Sequence, residues 1–173
     1  MQTPDPTPAS DAEALCLACG LCCDSSLFAW AKLRPGEMEP ARAAGLPVFM
    51  DAPPQRGFTQ PCPMLGAGCS IYTSAAYPHA CRAYRCLLLK RLQNNDLSLQ
   101  QALQSVAATR AAFAAFAQKL DAAGRQAGPA VPMRTRLVQV LEARPAPRAL
   151  LPAARRLLAE IEQVYGVMDL LDG

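Results

Sequence analysis

The sequence predicts a mainly α-helical fold, in which an irregular cysteine-rich layer lies on a small helical body with one or two short strands. Two observations support this prediction. Of the 173 residues, 51% are hydrophobic and alanine is frequent, a composition that suits packed helices. All eight cysteines lie within residues 16–86, whereas the remainder of the chain carries apolar residues at helical spacing. We therefore expect a cysteine-rich region over residues 11–92 and a helical region over residues 93–173 packed on it.

The first part of the chain is predicted to be largely irregular. Residues 1–10 are polar and rich in proline, which indicates a disordered tail. Residues 34–60 contain further prolines and few apolar anchors, so their order is expected to depend on metal joining the cysteine segments on either side. Within them, residues 46–50 predict a short strand, and Gly57-Phe58 predicts a second.

The rest of the chain is predicted to form helices. A helix that begins near His79 is expected to continue through residues 87–92. Ser98 and Gln101 have the spacing of a capping box, and the helix that they begin is expected to stop at Gly124. Two more helices are predicted, over residues 133–143 and 148–171. The apolar stripe of the long helix comprises Leu99, Leu103, Val106, Phe113, Phe116 and Leu120.

Charge and hydropathy indicate which kinds of binding partner to expect. The net charge is +3, with 4 basic and 7 acidic residues in 1–80 and 13 basic and 7 acidic residues in 81–173. The arginines of the basic part are scattered along helices without aromatic residues between them, so we expect no nucleic-acid partner. No apolar run approaches the ~20 residues that span a bilayer, and no export signal is visible. A cytoplasmic location without membrane contact is expected.

The cysteine spacing predicts thiolate metal ligands. Residues 16–23 read C-L-A-C-G-L-C-C, and in a reducing compartment such a cluster is better explained by a soft metal than by disulfides. A Zn²⁺ ion takes four ligands, and a [4Fe–4S] cluster takes four thiolates with a spacing that C-x2-C-x2-C reproduces. We favour the iron–sulfur cluster slightly over zinc, with one or two sites. The predicted metal ligands are Cys16, Cys19, Cys22, Cys23, Cys62, Cys69, Cys81 and Cys86.

The adjacent Cys22 and Cys23 pose a geometric question. If residues 16–23 are helical throughout, Cys16, Cys19 and Cys23 share one face and Cys22 points away. If Gly20 breaks the helix, Cys22 joins Cys16 and Cys19 instead. Either arrangement leaves one of the two thiols for a second metal or for redox chemistry.

Both cysteine segments together match a known pattern. Residues 62–72 read C-P-M-L-G-A-G-C-S-I-Y, and residues 77–86 read Y-P-H-A-C-R-A-Y-R-C. With residues 16–23 they resemble the bacterial YkgJ-like family of zinc- or iron-chelating domains, whose pattern is C-x2-C-G-x-C-C, C-P, C-x-I-Y and R-P-x-x-C-R-x-[FY]-x-C. Tyr77 stands where that family usually has Arg. The resemblance implies metal binding, without implying a reaction.

Other residues of the second segment are candidates for supporting roles. Arg82 and Tyr84 belong to the shared motif, and we assign them to cofactor binding, with Arg82 offsetting the negative charge of metal-bound thiolates. Arg85 is given a weaker claim to the same role. His79 is the only histidine of the chain. Its position favours a solvated or capping role over a role as a fifth metal ligand.

These observations predict a metal-binding protein, more readily than an enzyme. The cysteine pattern also resembles that of flagellin lysine N-methylase, a much longer protein, which leaves open a role as accessory to such an enzyme. A metal carrier or redox sensor that uses an exposed thiol such as Cys22 or Cys23 is a further alternative. The last alternative is a structural zinc module that presents its arginine-rich helices to a protein partner.

Overall fold

The computed structural model describes residues 10–51, 55–125 and 131–167, and these form a mainly helical protein with a small antiparallel sheet. The disordered tail predicted over residues 1–10 lies outside this description except for Ser10. In chain order the elements are α1 (Asp11–Cys19), β1 (Trp30–Lys32), a 3₁₀ helix (Pro35–Glu37), α2 (Met38–Ala43), β2 (Val48–Met50), β3 (Arg56–Thr59), α3 (His79–Ala83), α4 (Leu87–Gln93), α5 (Leu99–Ala122), α6 (Met133–Glu142) and α7 (Leu151–Tyr165).

The sheet has the strand order β1-β3-β2, with both pairs antiparallel. Phe58 at its centre faces Ala31 on one side and Val48 on the other, and only 1% of its surface is exposed. The two predicted strands are therefore confirmed, whereas β1, the 3₁₀ helix and α2 were not predicted.

A separate apolar cluster forms around this sheet. Phe58 packs with three other buried side chains, Leu33, Ala41 and Leu46. The expectation that residues 34–60 have few apolar anchors of their own is wrong, because three of these four residues lie within that range. Burial of their side chains contributes to the stability of the segment.

The larger core is built by the helices. Helix α1 packs against α4 and α5, and α7 packs against α4, α5 and α6. Helix α5 begins with the predicted capping box, in which Gln101 N–H donates to Ser98 Oγ at 3.2 Å and Ser98 N–H donates to Gln101 Oε1 at 2.8 Å. Gly124, with φ 66°, follows its last turn as predicted. Inside the core Tyr165 Oη donates to Thr109 Oγ1 at 3.1 Å.

The prediction of one long helix from His79 through residue 92 is wrong, because this segment forms two helices. Tyr84 and Cys86 between them have extended backbone, with ψ 134° and 163°. Cys86 Sγ accepts the Leu89 N–H at 3.4 Å and so caps α4, while the Tyr84 ring packs edge-to-face on Phe28 with 5.5 Å between centroids. Nonlocal packing and the thiol cap thus replace a turn of helix.

The two C-terminal helices are close to prediction. Helix α6 covers the expected residues. Helix α7 begins at Leu151, three residues later than predicted, with Pro152 in its first turn. It ends at Tyr165 because Gly166 takes a left-handed conformation with φ 62°, and the predicted continuation beyond residue 167 lies outside the described residues. Among the described residues, no helix has the length and apolar character to cross a membrane.

Gly57 is required where β3 meets β1. A Cβ atom at this position would lie 2.3 Å from the Ala31 carbonyl oxygen and 2.8 Å from the Trp30 ring. We expect Gly57→Ala to lower the free energy of unfolding by at least about 2 kcal/mol, because the strand backbones would have to separate. Urea unfolding measures this effect. Gly36→Ala is the control, since a Cβ there meets nothing within 4 Å; equal stability of the two variants would contradict the described pairing.

Candidate metal centre

The first cysteine segment is a helix that ends in a tight turn. Helix α1 carries Cys16 and Cys19 and stops because Gly20 has a φ of 57°, in the left-handed region. The Gly20 carbonyl then accepts hydrogen bonds from Cys23 N–H at 2.8 Å and Asp24 N–H at 2.9 Å. Cys22 and Cys23 therefore lie in the turn, so the alternative in which Gly20 breaks the helix is confirmed.

Arg110 on α5 holds this turn from outside. Its Nη2 donates to the Cys19 carbonyl oxygen at 2.5 Å, and its Nη1 pairs with Asp24 Oδ2 at 3.3 Å. A Cβ at Gly20 would lie 3.3 Å from Nη2, so the glycine also leaves space for the guanidinium. Sequence reasoning missed Arg110, because nothing local in an alanine-rich helix indicates a contact with residues so far away in the chain.

The second cysteine segment is tied to the first by the backbone. Cys62 N–H donates to the Cys23 carbonyl at 2.7 Å. A compact loop follows, in which Leu65 N–H donates to the Cys62 carbonyl at 3.1 Å and Leu65 forms an isolated β-bridge with Cys69. Cys81 lies on α3 and Cys86 caps α4. The fold thus brings together thiols that are far apart in the sequence.

The cysteines divide between the two apolar cores. Cys19, Cys22 and Cys86 pack against the larger helical core. Cys62 and Cys81 pack against the small core around the sheet. On the side of the small core lies a cavity with a volume of ≈ 40 Å³, enough for a water molecule. Its walls include five of the cysteines, Cys16, Cys23, Cys62, Cys69 and Cys81.

The adjacent thiols of Cys22 and Cys23 also differ in their electrostatic environment. Burial raises the pKa of Cys22 well above its usual range, with further contributions from Cys19 and then Cys86. Burial also raises the pKa of Cys23, but there the largest thiol contributions come from Cys81 and then Cys62. The strongest thiol effects on Cys22 and on Cys23 therefore come from different cysteines, while Cys16 acts on both.

Cys16 lies next to both sets. Burial raises its pKa, followed by the effect of Cys86 from the first set, while Cys69 from the second set contributes less. It is also the cysteine with an exposed surface, whereas the other seven are partly buried. The charge of Arg85 favours ionisation of Cys16. The Arg82 guanidinium, which was expected to offset thiolate charge, stacks over the Tyr77 ring at 5.1 Å. It lines the same pocket as Cys16 and Cys81.

Burial disfavours the thiolate form of these cysteines. Burial, with the charges of neighbouring thiols as a lesser cause, raises the pKa of Cys19 to about 11 and that of Cys81 to about 12. A buried thiolate is costly in a low-dielectric environment unless a cation lies beside it.

Two buried polar atoms beside the thiols lack a partner. Tyr84 Oη makes no hydrogen bond with the described residues, and its pKa is raised by burial and then by Cys22 and Cys86, which places it near the first set. Gln60, only 5% exposed, lines the ≈ 40 Å³ cavity, and its Oε1 has no hydrogen-bond partner in the part of the chain that the structure describes. The Tyr84 hydroxyl can donate a hydrogen bond to metal-bound sulfur, whereas the Gln60 amide oxygen can only accept one. Gln60 was not predicted, although it lies directly before the Pro61-Cys62 pair.

His79 lies outside the cysteine cavity. It is exposed at the start of α3, where its backbone N–H donates to Glu37 Oε1 at 2.6 Å. Within residues 10–51, 55–125 and 131–167, no three His, Cys, Asp or Glu side chains are arranged closely enough to hold a metal ion. Coordination would therefore require the thiols to draw together.

Comparisons of the chain with protein-family models, with curated proteins and with solved structures found no match. The YkgJ-like resemblance stays a prediction from the cysteine spacing.

Loss of Arg110 is expected to loosen the turn that carries the adjacent cysteines. Arg110→Gln should lower the free energy of unfolding by about 1 kcal/mol, mainly through the lost hydrogen bond to the Cys19 carbonyl, because the partly exposed ion pair contributes little. Hydrogen exchange should show faster exchange at Cys23 and Asp24. Arg155→Gln, at an exposed position of α7, is the control; unchanged exchange in the turn would show that Arg110 does not hold it.

Proposed function

We propose that this protein binds metal through cysteine thiolates at two neighbouring sites. Cys19, Cys22 and Cys86 supply the first site, and the second is supplied by Cys23, Cys62, Cys69 and Cys81. The observation that carries the proposal is the different placement of two adjacent thiols. Cys22 packs on the larger core with Cys19 and Cys86, whereas Cys23 is hydrogen-bonded through its backbone to Cys62 and lines the small cavity with Cys62, Cys69 and Cys81. Cys16 lies between the sets and completes the first to four thiols.

The donor set fits a soft metal. Four thiolates suit either Zn²⁺ or a [4Fe–4S] cluster, and we favour the cluster slightly on the ferredoxin-like spacing of residues 16–22. Either group would carry excess negative charge from its thiolates, which Arg85 and Arg110 offset. The unpartnered Tyr84 hydroxyl supports the fit, since it is a buried donor near Cys22 and Cys86 that a thiolate would satisfy.

A metal carrier is the second candidate, favoured by Cys16. A carrier must pass its metal to a partner by ligand exchange, which needs a thiol that an incoming ligand can reach. Cys16 is the exposed cysteine, in place of the Cys22 or Cys23 expected from the sequence. The test is the rate at which a chelator removes metal from the protein. Slow removal from the wild type, together with faster removal from Cys16→Ser, would argue against exchange through this thiol.

Elemental analysis and visible spectra of anaerobically purified protein test the two-site proposal. Cys22→Ser and Cys23→Ser should each lose a different part of the metal, because each removes a ligand from one set only. Cys86→Ser should then match Cys22→Ser, and Cys69→Ser should match Cys23→Ser. A broad visible band with bound iron would identify a cluster, and a colourless protein with zinc would identify zinc. Wild-type protein without either metal, or identical loss in all four variants, would contradict the proposal.

Metal loading should release protons. Since the pKa values of the thiols are raised, with about 11 at Cys19 and about 12 at Cys81, metal must displace a proton from each ligand at pH 7. We expect about four protons per metal at a four-thiol site, and an affinity that rises steeply with pH. Zinc titration of the reduced, metal-free chain in dilute buffer with a pH indicator measures this number. Release of less than about one proton per metal would show that the thiols are not the ligands.

A further inference from the structure

A second, larger pocket adjoins the thiols. It has a volume of ≈ 210 Å³ and lies between α1, the loop around Tyr72 and Tyr77, and the α3–α4 junction. Cys16 and Cys81 line both this pocket and the smaller cysteine cavity, as do the two tyrosines. A molecule bound here would therefore contact one wall of the thiol cluster from the solvent side.

Two arginines line this pocket, and both are held in place. The Arg82 guanidinium stacks over the Tyr77 ring at 5.1 Å. Arg85 Nη1 donates to the carbonyl oxygens of Arg82 at 2.5 Å and Tyr84 at 2.9 Å. Both bonds use the same nitrogen, so the other N–H donors of this guanidinium are available to a ligand. Fixed side chains lose little entropy when they bind a ligand.

The charge of the pocket favours an anion. Its charged lining residues are Arg82, Arg85 and Glu13, which give a net positive charge. The planar guanidinium matches the two oxygens of a carboxylate or a phosphate, which it binds through paired hydrogen bonds. The volume is below the ≈ 300–1,000 Å³ of pockets for drug-sized ligands, so the ligand must be small.

We propose that this pocket binds a small oxyanion, either a carboxylate or a phosphate, on Arg82 and Arg85 beside Cys16. Tyr77 and backbone carbonyls position its two arginines. The site shares Cys16 and Arg85 with the proposed metal centre. Binding there would cover the exposed face of Cys16.

The test is titration of the full, anaerobically purified chain with succinate and separately with inorganic phosphate, at constant ionic strength, followed by ¹H–¹⁵N NMR. Saturable shifts at residues 12–16 and 82–89 are expected for at least one probe; succinate alone identifies a carboxylate site, phosphate alone a phosphate site, and both a general oxyanion site. Measurement of metal content before and after titration excludes shifts caused by metal removal. Shifts that stay linear to high concentration with both probes would overturn the proposal.

Matched variants assign the binding to the arginines. Arg82→Gln and Arg85→Gln should each weaken binding about tenfold, as expected for loss of a charge-assisted hydrogen bond. Arg82 is the safer position, because its side chain makes no hydrogen bond to the backbone among those described, so a folding defect is less expected there. Arg91→Gln, on the exposed surface of α4 outside the pocket, removes the same charge and should bind as the wild type. Equal affinity in all three variants, or equal weakening in all three, would overturn the assignment.

Discussion

The arrangement of the thiols depends on a backbone connection in which Cys62 N–H donates to the Cys23 carbonyl at 2.7 Å and Gln60 N–H donates to the Ala29 carbonyl at 2.9 Å. It joins the two cysteine segments and closes a long loop that contains the whole sheet. Each hydrogen bond contributes only about 1 kcal/mol net, so the two together are too weak to offset the entropy lost in closing such a loop. The buried cluster around Phe58 supplies the rest, because each fully buried apolar side chain stabilises by about 1.5–3 kcal/mol.

The same closure explains why adjacent cysteines acquire different surroundings. The Gly20 turn brings Cys22 toward the larger core, where Cys19 and Cys86 pack. Cys23 is the residue bonded to the second segment, so it meets Cys62 and Cys81 at the small core. The thiols therefore lie at the junction of two independently packed cores, and a shift of one core against the other would change the distance between the two sets. Arg110 limits such a shift on the side of the first set.

The sequence predicted those features whose stability depends on residues close together in the chain. The capping box at Ser98, the apolar stripe of α5 and the strand around Phe58 were all readable, because each depends on neighbours within a few residues. The break between α3 and α4 could not be predicted in this way, because the extended backbone at Tyr84 accompanies packing of its ring on Phe28, which is far away in the chain. At the site, the spacing identified candidate ligands and left two geometries for Cys22 open. The left-handed Gly20 and the turn that follows it decided between them.

The raised pKa values favour packing of the thiols in their neutral form. A protonated thiol is nearly apolar and packs as a small hydrophobe, so the neutral cluster costs the fold little. The folded state favours the protonated form, and this contribution to stability is full below the ordinary thiol pKa of 9.0. It is lost as pH rises through about 11 at Cys19 and about 12 at Cys81, where the folded chain must accept buried charge. A thiolate-bound cation would reverse this relation, because it stabilises the deprotonated form. The burial that keeps the free thiols neutral therefore also makes them a strongly pH-dependent set of ligands.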